Sequence, residues 1–198
     1  NPDWAALLAL DEARLRAANL LAARTTCALR DEWAPRLSGP IVVGGIIGPR
    51  GDGYVASAPH SAAEAADYHT PQAEALAEGG VDMLSAMTMT SSSEALGVSM
   101  AARRVGLPVS LSFTVETDGR LPSGESLGEA VERVDAAAPP DYFAINCAHP
   151  AHFVGALDTS APWVERIRCV RANASEKSHA ELDAATELDV GDPLDLAQ

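Results

Sequence analysis

Positive charge is scarce in this 198-residue sequence, which has 14 lysine and arginine residues against 28 aspartate and glutamate residues, a net charge of −14. Nucleic acids and anionic lipid surfaces are themselves negative, so a surface of this kind repels them. Long apolar runs are also lacking, and none reaches the roughly 20 residues of a membrane-spanning helix. We therefore expect no nucleic-acid partner and no membrane association.

Cysteine is rare as well, and the three residues Cys27, Cys147 and Cys169 lie far apart. An odd number without a Cys-x-x-Cys pair argues against a disulfide framework. The N-terminus shows no basic segment followed by an apolar one, so no signal peptide is visible. These features predict a cytoplasmic protein. The 47% of hydrophobic residues suits a single domain over residues 1–198.

Apolar runs alternate with helical segments along most of the chain. Five runs predict buried strands, at 40–48, 81–89, 108–115, 142–147 and, more weakly, 167–173. Strands that alternate with helices form a parallel sheet with right-handed crossovers. The pattern itself is compatible with an open doubly wound sheet and with part of a (β/α)₈ barrel.

Helix starts are predicted by capping motifs between the strands. Ser-x-x-Glu, in which serine and glutamate bond the free N–H groups of a first turn, begins at Ser61, Ser91, Ser126 and Ser178. Apolar residues at spacings of three and four predict a long helix from Leu7 to Trp33, in which Cys27 serves packing. Thr70-Pro71 predicts a second helix start within the segment 61–78.

Cys147 is the most informative candidate site residue because it ends the apolar run 142–147. Ligands of α/β proteins bind at the carboxyl ends of parallel strands, so a thiol there is a candidate metal ligand or nucleophile. The alternative is a small buried side chain that only packs. His149 and His152 follow closely, and three nitrogen and sulfur ligands would suit zinc. Pro150 stiffens this segment, which favours helix-start roles for both histidines.

Polar residues follow other predicted strands too. Thr88 ends the second run, and Ser112, Thr114 and Glu116 alternate at the end of the third, which points them to one side. The glycine-rich loop 48–54 after the first run allows a ligand to approach the backbone closely. It lacks the Gly-x-Gly-x-x-Gly and Gly-x-x-x-x-Gly-Lys motifs of nucleotide-phosphate sites.

Four stretches together resemble the homocysteine S-methyltransferase family. They are Gly-Gly-Ile-Ile-Gly-Pro-Arg-Gly at 44–51, the segment 68–84 beginning Tyr-His-Thr-Pro-Gln, Ser-Phe-Thr at 112–114 and Ile-Asn-Cys at 145–147. They occur in the family's order and approximate spacing, and the resemblance runs from about residue 10 to about residue 190. It implies an α/β fold of the (β/α)₈ TIM-barrel class, with about five of the strands present in this chain.

The resemblance also implies an activity. In this family a zinc ion held by three cysteines binds the homocysteine sulfur as a thiolate, which takes a methyl group from S-methylmethionine, S-adenosylmethionine or a betaine, giving methionine. Cys147 matches the first zinc ligand, and the residues implied to line the substrate pocket are Thr88, Ser112, Thr114, Asn146 and Asn173. Homocysteine and the methyl donor are the expected small-molecule partners, and a homo-oligomer is possible.

The sequence departs from the family pattern in three places. The adjacent Cys-Cys pair that supplies the other two thiolates is absent, and so are the family's first strands, so we expect the middle of a barrel from a longer natural chain. Met87 stands where the family has a substrate-holding glutamate, and a thioether cannot bond an ammonium group. With one thiolate of three, we expect little or no zinc and no methyl transfer from this chain; stoichiometric zinc by elemental analysis would overturn that.

Two alternatives remain open at this point. A family-derived barrel that has lost its metal would act as a non-catalytic binding or scaffold protein. A different barrel enzyme would use Cys147 as a nucleophile, with His149 as the only nearby histidine to activate it.

Overall fold

A single parallel sheet forms the centre of the molecule. The computed structural model describes residues 1–56, 58–192 and 194. Its strands are β1 (Gly44–Ile47), β2 (Met83–Met89), β3 (Val109–Phe113), β4 (Tyr142–Asn146) and β5 (Ile167–Arg171). Each pairs in parallel with the next, in the order β1-β2-β3-β4-β5. A doubly wound sheet reverses its strand order at a switch point, whereas a barrel keeps chain order, so these strands are arranged as in part of a barrel.

Helices precede, connect and follow the strands of this sheet. They are α1 (Pro2–Leu7), α2 (Glu12–Trp33), α3 (Ala62–Glu78), α4 (Ser92–Val105), α5 (Leu127–Ala137), α6 (Pro150–Phe153) and α7 (His179–Asp183), with 3₁₀ turns at Ala34–Arg36, Val154–Ala156 and Pro162–Arg166. Helices α2 to α5 contact one another in sequence, and α3 and α4 pack on the strands beneath them. Within the described part of the chain, no helix combines the length and apolar character needed to cross a membrane.

The two faces of the sheet differ in what they contact. A Cβ atom built on Gly45 would lie 3.0 Å from the Leu76 side chain of α3, so this position faces the helices. One built on Gly44 would instead lie 3.0 Å from Oγ of Ser85, which accepts a hydrogen bond from Ser110 at 3.3 Å. We call this second side, which is turned away from the helices, the inner face.

The predicted helix from Leu7 to Trp33 is divided in the structure. Helix α1 ends at Leu7, Ala9 adopts a left-handed backbone with φ of 52°, and α2 begins at Glu12. The side chain of Asp11 caps α2 by accepting a hydrogen bond from the Arg14 amide at 2.8 Å. The apolar spacing lies within α2, so it identifies the helix but not its first residue, which the aspartate cap determines.

The predicted helix start at Thr70-Pro71 is wrong, because α3 is continuous and contains Pro71 in its interior. The Thr70 hydroxyl donates to the Ala66 carbonyl at 2.6 Å, one turn earlier. A proline inside a helix costs about 3 kcal/mol or more. Helix α3 lies between α2 and α4, and that packing on two sides outweighs the cost.

The Ser-x-x-Glu motifs begin helices as predicted, but one of them does not form a reciprocal box. Complete capping boxes are present at Ser61, Ser126 and Ser178. Ser91 caps α4 by accepting a hydrogen bond from the Glu94 amide at 3.3 Å. The Glu94 carboxylate, which is fully buried, instead accepts from the Arg50 amide at 2.6 Å and contacts Nε2 of His69 at 3.0 Å. It thereby anchors the loop that follows β1.

Candidate functional site

Cys147 lies directly after β4, where the chain turns out of the sheet. Its backbone is left-handed, with φ of 55°, and its amide donates to the Arg171 carbonyl at 3.1 Å. The thiol is half-buried, whereas Cys27 is buried in α2 with its thiol donating to the Gly80 carbonyl, as the packing role predicted, and Cys169 is exposed on β5. The three cysteines therefore lie in three different environments, and Cys147 is the one at the carboxyl end of the sheet.

Asn146 connects Cys147 to the neighbouring strand end. Its amide oxygen accepts from the Thr88 backbone N–H at 2.9 Å, and its amide nitrogen donates to the Thr88 hydroxyl at 2.8 Å. The same nitrogen lies 3.0 Å from the sulfur of Cys147. Thr88 has a left-handed backbone with φ of 61°, which is unusual for a β-branched residue. Two strained residues are thus held together by one buried amide.

A cavity of about 420 Å³ opens beside these residues. Its lining comes from the ends of four strands and consists of Ile46, Met87, Thr88, Asn146, Cys147, Arg171, Ala172 and Asn173. Four residues predicted to bind substrate or metal are therefore together: Thr88, Asn146, Cys147 and Asn173. Cavities of this size suit small ligands. The carboxyl end of a parallel sheet is also where barrel enzymes carry their chemistry.

Ser112 and Thr114, which the resemblance implies line the substrate pocket, are not among the residues around this cavity. Ser112 is 2% exposed and Thr114 is 0% exposed, and neither hydroxyl has a hydrogen-bond partner among the described residues. Ser112 pairs with Ala144, two residues before Asn146 on the adjacent strand. The predicted alternation places Ser112 on the inner face, but buried in the sheet and not at its mouth.

The cavity carries positive charge on one side. Arg171 is exposed at the end of β5, and its side chain makes no ion pair or hydrogen bond with any residue that the structure describes. Carboxylates are missing from the described lining, which includes the Met87 thioether. An unpaired guanidinium binds a carboxylate through two parallel hydrogen bonds. The lining therefore favours a ligand with an acidic group.

Two aromatic residues next to Cys147 were not predicted as site residues. Tyr54, from the loop after β1, stacks on the ring of His179 with centroids 4.0 Å apart. Burial raises the pKa of Tyr54 to about 12, and a hydrogen bond with the Cys147 side chain and its charge act in the same direction. Nδ1 of His179 lies 3.0 Å from Oε1 of Glu116, the carboxylate noted in the sequence. The glycine-rich loop 48–54 could have indicated Tyr54 as a site residue. His179 follows Ser178 in a capping motif, which indicates only a helix start.

The possible metal triad of Cys147, His149 and His152 is wrong. Nδ1 of His149 accepts a hydrogen bond from the Ala151 amide at 3.2 Å, which makes this residue the cap of α6. Nε2 of His152 bonds the Glu176 carbonyl at 2.8 Å. His149 therefore has the predicted helix-start role, whereas His152 lies in the last turn of α6 and contacts a later loop instead. His149 is also engaged away from Cys147, so the described structure offers no base for a cysteine nucleophile at that position.

The described residues do not complete a zinc site. Within residues 1–56, 58–192 and 194, no group of three or more His, Cys, Asp or Glu side chains is placed to hold a metal ion. Catalytic zinc has three protein ligands, and the cavity supplies a single thiol. Any further ligand would have to come from outside the described residues.

The strand order and the cavity at the carboxyl ends of the strands are those of part of a (β/α)₈ barrel. A family model described as homocysteine S-methyltransferase matches residues 4–190. The chain belongs to the homocysteine S-methyltransferase family, and the resemblance drawn from its motifs is confirmed. It is therefore an enzyme of a family that transfers methyl groups to homocysteine. Comparison with curated proteins gives no significant match.

Solved structures support the fold. The metallated form of the homocysteine methyltransferase MmuM from Escherichia coli is similar, with a TM-score of 0.69, 20% sequence identity, and coverage of 91% of this chain and 73% of that one. Its oxidized form gives a TM-score of 0.70 at 20% identity, with 91% and 74% covered. Its apo form gives 0.65 at 20% identity, with 88% and 74% covered. The predicted partial barrel is confirmed by these similarities.

Proposed function

We propose that the mouth beside Cys147 binds homocysteine and that its sulfur takes a methyl group from a sulfonium or ammonium donor, giving methionine. The observation that carries this proposal is the position of the thiol. Cys147 opens onto a cavity of about 420 Å³ that joins the ends of four strands, in a chain of a family defined by homocysteine methylation. Cys147 is also our candidate for a metal ligand.

The acceptor is oriented by its acidic end. The Arg171 guanidinium, unpaired among the described residues, would bond the homocysteine carboxylate. Asn173 and the Thr88–Asn146 pair offer further polar groups in the same lining. Met87 and Ile46 provide the apolar wall against which the methylene groups pack. This arrangement leaves the acceptor sulfur near Cys147.

The transfer is a displacement at the methyl carbon. The acceptor thiol first loses its proton to solvent water at the open mouth, and the thiolate sulfur then attacks the methyl carbon while the bond from that carbon to the donor sulfur or nitrogen breaks. The bonding electron pair leaves with the donor, whose positive charge is neutralised. The protein contributes alignment of three atoms, which is worth several orders of magnitude in rate.

A cationic donor suits the charge of the whole protein. The net charge of −14 raises the local concentration of positively charged small molecules. S-methylmethionine, S-adenosylmethionine and betaines share a positive charge next to the transferred methyl group. We propose a donor with this positively charged methyl group, and direct comparison of the three compounds identifies the one used.

Acceptor binding is the first test, since one thiol predicts weak metal binding and low turnover. Titration calorimetry with homocysteine should give saturable binding to the protein. Arg171→Gln should weaken it by about tenfold or more, since one charged hydrogen-bonded contact is worth roughly 1.5–3 kcal/mol. Arg168→Gln is the matched control, an exposed arginine on the same strand that does not line the cavity. Absence of homocysteine binding to the unaltered protein would refute the proposal.

Turnover is the second test. Methionine formed from homocysteine is measured by mass spectrometry with each of the three donors, with and without added zinc. Because a single thiol lines the cavity, turnover should be low or undetectable; any methionine that a donor does support should be abolished by Cys147→Ser and left intact by Cys169→Ser. Equal activity of the Cys147→Ser variant would remove this residue from the reaction. Homocysteine binding that Cys147→Ser leaves unchanged, together with no methionine from any donor in the presence of zinc, would instead favour a non-catalytic barrel.

A further inference from the structure

His179 connects three loops at the carboxyl end of the sheet. It is the first residue of the short helix α7, and it is 8% exposed. Its Nδ1 lies 3.0 Å from Oε1 of Glu116, in the loop after β3. Its Nε2 lies 2.6 Å from the backbone carbonyl oxygen of Cys147, directly after β4. The ring therefore bridges a carboxylate and the peptide that carries the candidate site thiol.

The face of the same ring is covered from a third side. Tyr54, in the loop after β1, stacks on His179 at an interplanar angle of 25°. The loop that carries Tyr54 is itself fixed, because the Arg50 amide donates to the buried Glu94 carboxylate and the Gly51 amide donates to Asp3 at 2.8 Å. Both edges and one face of the imidazole are thus occupied by protein groups from separate elements.

The backbone of Cys147 needs such support. A left-handed conformation costs a non-glycine residue roughly 1–3 kcal/mol and persists only where the surroundings impose it. On the N-terminal side of the residue, the Cys147 amide donates a hydrogen bond to the Arg171 carbonyl at 3.1 Å. The Cys147 carbonyl is held by His179 at 2.6 Å. With both flanking peptides fixed, the direction of the Cα–Cβ bond, and so of the sulfur, is fixed as well.

We propose that His179 is a positioning residue, whose bond to the Cys147 carbonyl aims the thiol into the cavity at the mouth of the sheet. Helix α7 does not depend on this bond for its own start, because Ser178 and Glu181 form a complete capping box there. His179 follows Ser178 directly, so its imidazole is carried by a helical turn that the capping box stabilises on its own. The relevance of this role to catalysis rests on the proposed function.

Two isosteric substitutions separate the two bonds of the ring. The amide nitrogen of glutamine reaches about as far as Nε2, so His179→Gln can still donate to the Cys147 carbonyl. The amide of asparagine reaches only about as far as Nδ1, so His179→Asn keeps the Glu116 contact and loses the Cys147 contact. Both variants lose the aromatic stack with Tyr54, which makes each the control for the other.

The readout is the rate at which iodoacetamide alkylates Cys147 in the folded protein at one fixed pH, with Cys169 as an internal standard. His179→Asn should raise the Cys147 rate at least about threefold, because a released backbone exposes the thiol, and His179→Gln should stay within about twofold of the unaltered protein. His152→Gln is a second control, since Nε2 of His152 bonds a carbonyl outside the cavity. Equal rates for the Asn and Gln variants would overturn the proposal.

A different substitution covers the case in which His179→Asn does not fold. Glu116→Ala removes the other partner of the ring from a partly exposed loop, and should raise the Cys147 rate by a smaller factor. An unchanged rate in this variant would also count against the bridge. Alkylation needs no homocysteine, so failure of acceptor binding in calorimetry and failure of the positioning role are separate results.

Discussion

Replacing Asn146 by alanine should destabilise the protein by about 3 kcal/mol, because one buried amide holds two strand ends together. Asn146 is 1% exposed, and its side chain bonds the Thr88 amide, the Thr88 hydroxyl and the Cys147 sulfur. Each hydrogen bond is worth about 1 kcal/mol net, and a donor left without a partner costs roughly 1–3 kcal/mol. Thr88, left-handed at φ of 61°, also loses the contacts that maintain its conformation.

Urea denaturation followed by circular dichroism measures this loss as a shift of the transition midpoint at constant slope. Asn173→Ala is the matched control, because the Asn173 side chain lines the same cavity but makes no hydrogen bond to any described residue. It should cost less than about 1 kcal/mol, as surface substitutions do. Equal losses in the two variants, or a loss below about 1 kcal/mol for Asn146→Ala, would refute the reasoning.

Three further substitutions test other parts of the structure by urea denaturation. Gly97→Ala should cost about 3 kcal/mol, since its Cβ would lie 2.3 Å from the Cβ of Ala65 and force α3 and α4 apart; a loss below about 1 kcal/mol would contradict this packing. Ser126→Ala should cost about 1 kcal/mol through its capping box, and an unchanged midpoint would count against the cap. Burial would raise the pKa of Glu125, but hydrogen bonds from Ser92 outweigh it and hold the pKa below 4.5. The unaltered protein should therefore have a higher free energy of unfolding than Glu125→Gln at pH values above 4.5, and this difference should disappear as the pH falls through the lowered pKa. A difference that grows in acid would contradict this expectation.

The strands could be predicted because a strand in a parallel sheet is buried on both faces and reads as an apolar run. All five runs contain the observed strands, including the weak one that became β5. The choice between a barrel and a doubly wound sheet depends on strand order, which no local pattern encodes. It required the family motifs, and the observed chain order agrees with them.

The helices show where tertiary packing overrides local signals. Pro71 has the local signature of a helix start, but α3 continues through it because α2 and α4 hold it on both sides. Glu94 has the signature of a capping box, but its carboxylate turns to His69 and the Arg50 amide, which come from distant segments. In both cases the competing partner lies more than twenty residues away or on another helix, beyond the reach of any short motif.

The candidate site divides in the same way. Thr88, Asn146, Cys147 and Asn173 were predictable because each lies at or just after a strand end, and the carboxyl ends of parallel strands meet. Ser112 has the predicted face, but its burial among the neighbouring strands could not be read from the sequence, and its role as a substrate-binding residue stays a prediction. Tyr54 and His179 belong to a loop and a short helix far apart in sequence, so only the folded chain brings them together.

The most direct test of the account is the order in which the three cysteines of the native protein react with a thiol reagent, followed by mass spectrometry of each peptide. Cys169 should be modified first, Cys147 next and Cys27 only after unfolding, as their exposed, half-buried and buried positions require. If Cys147 stays as protected as Cys27 until the protein unfolds, its sulfur does not open onto the mouth of the sheet, and the proposed acceptor site is wrong.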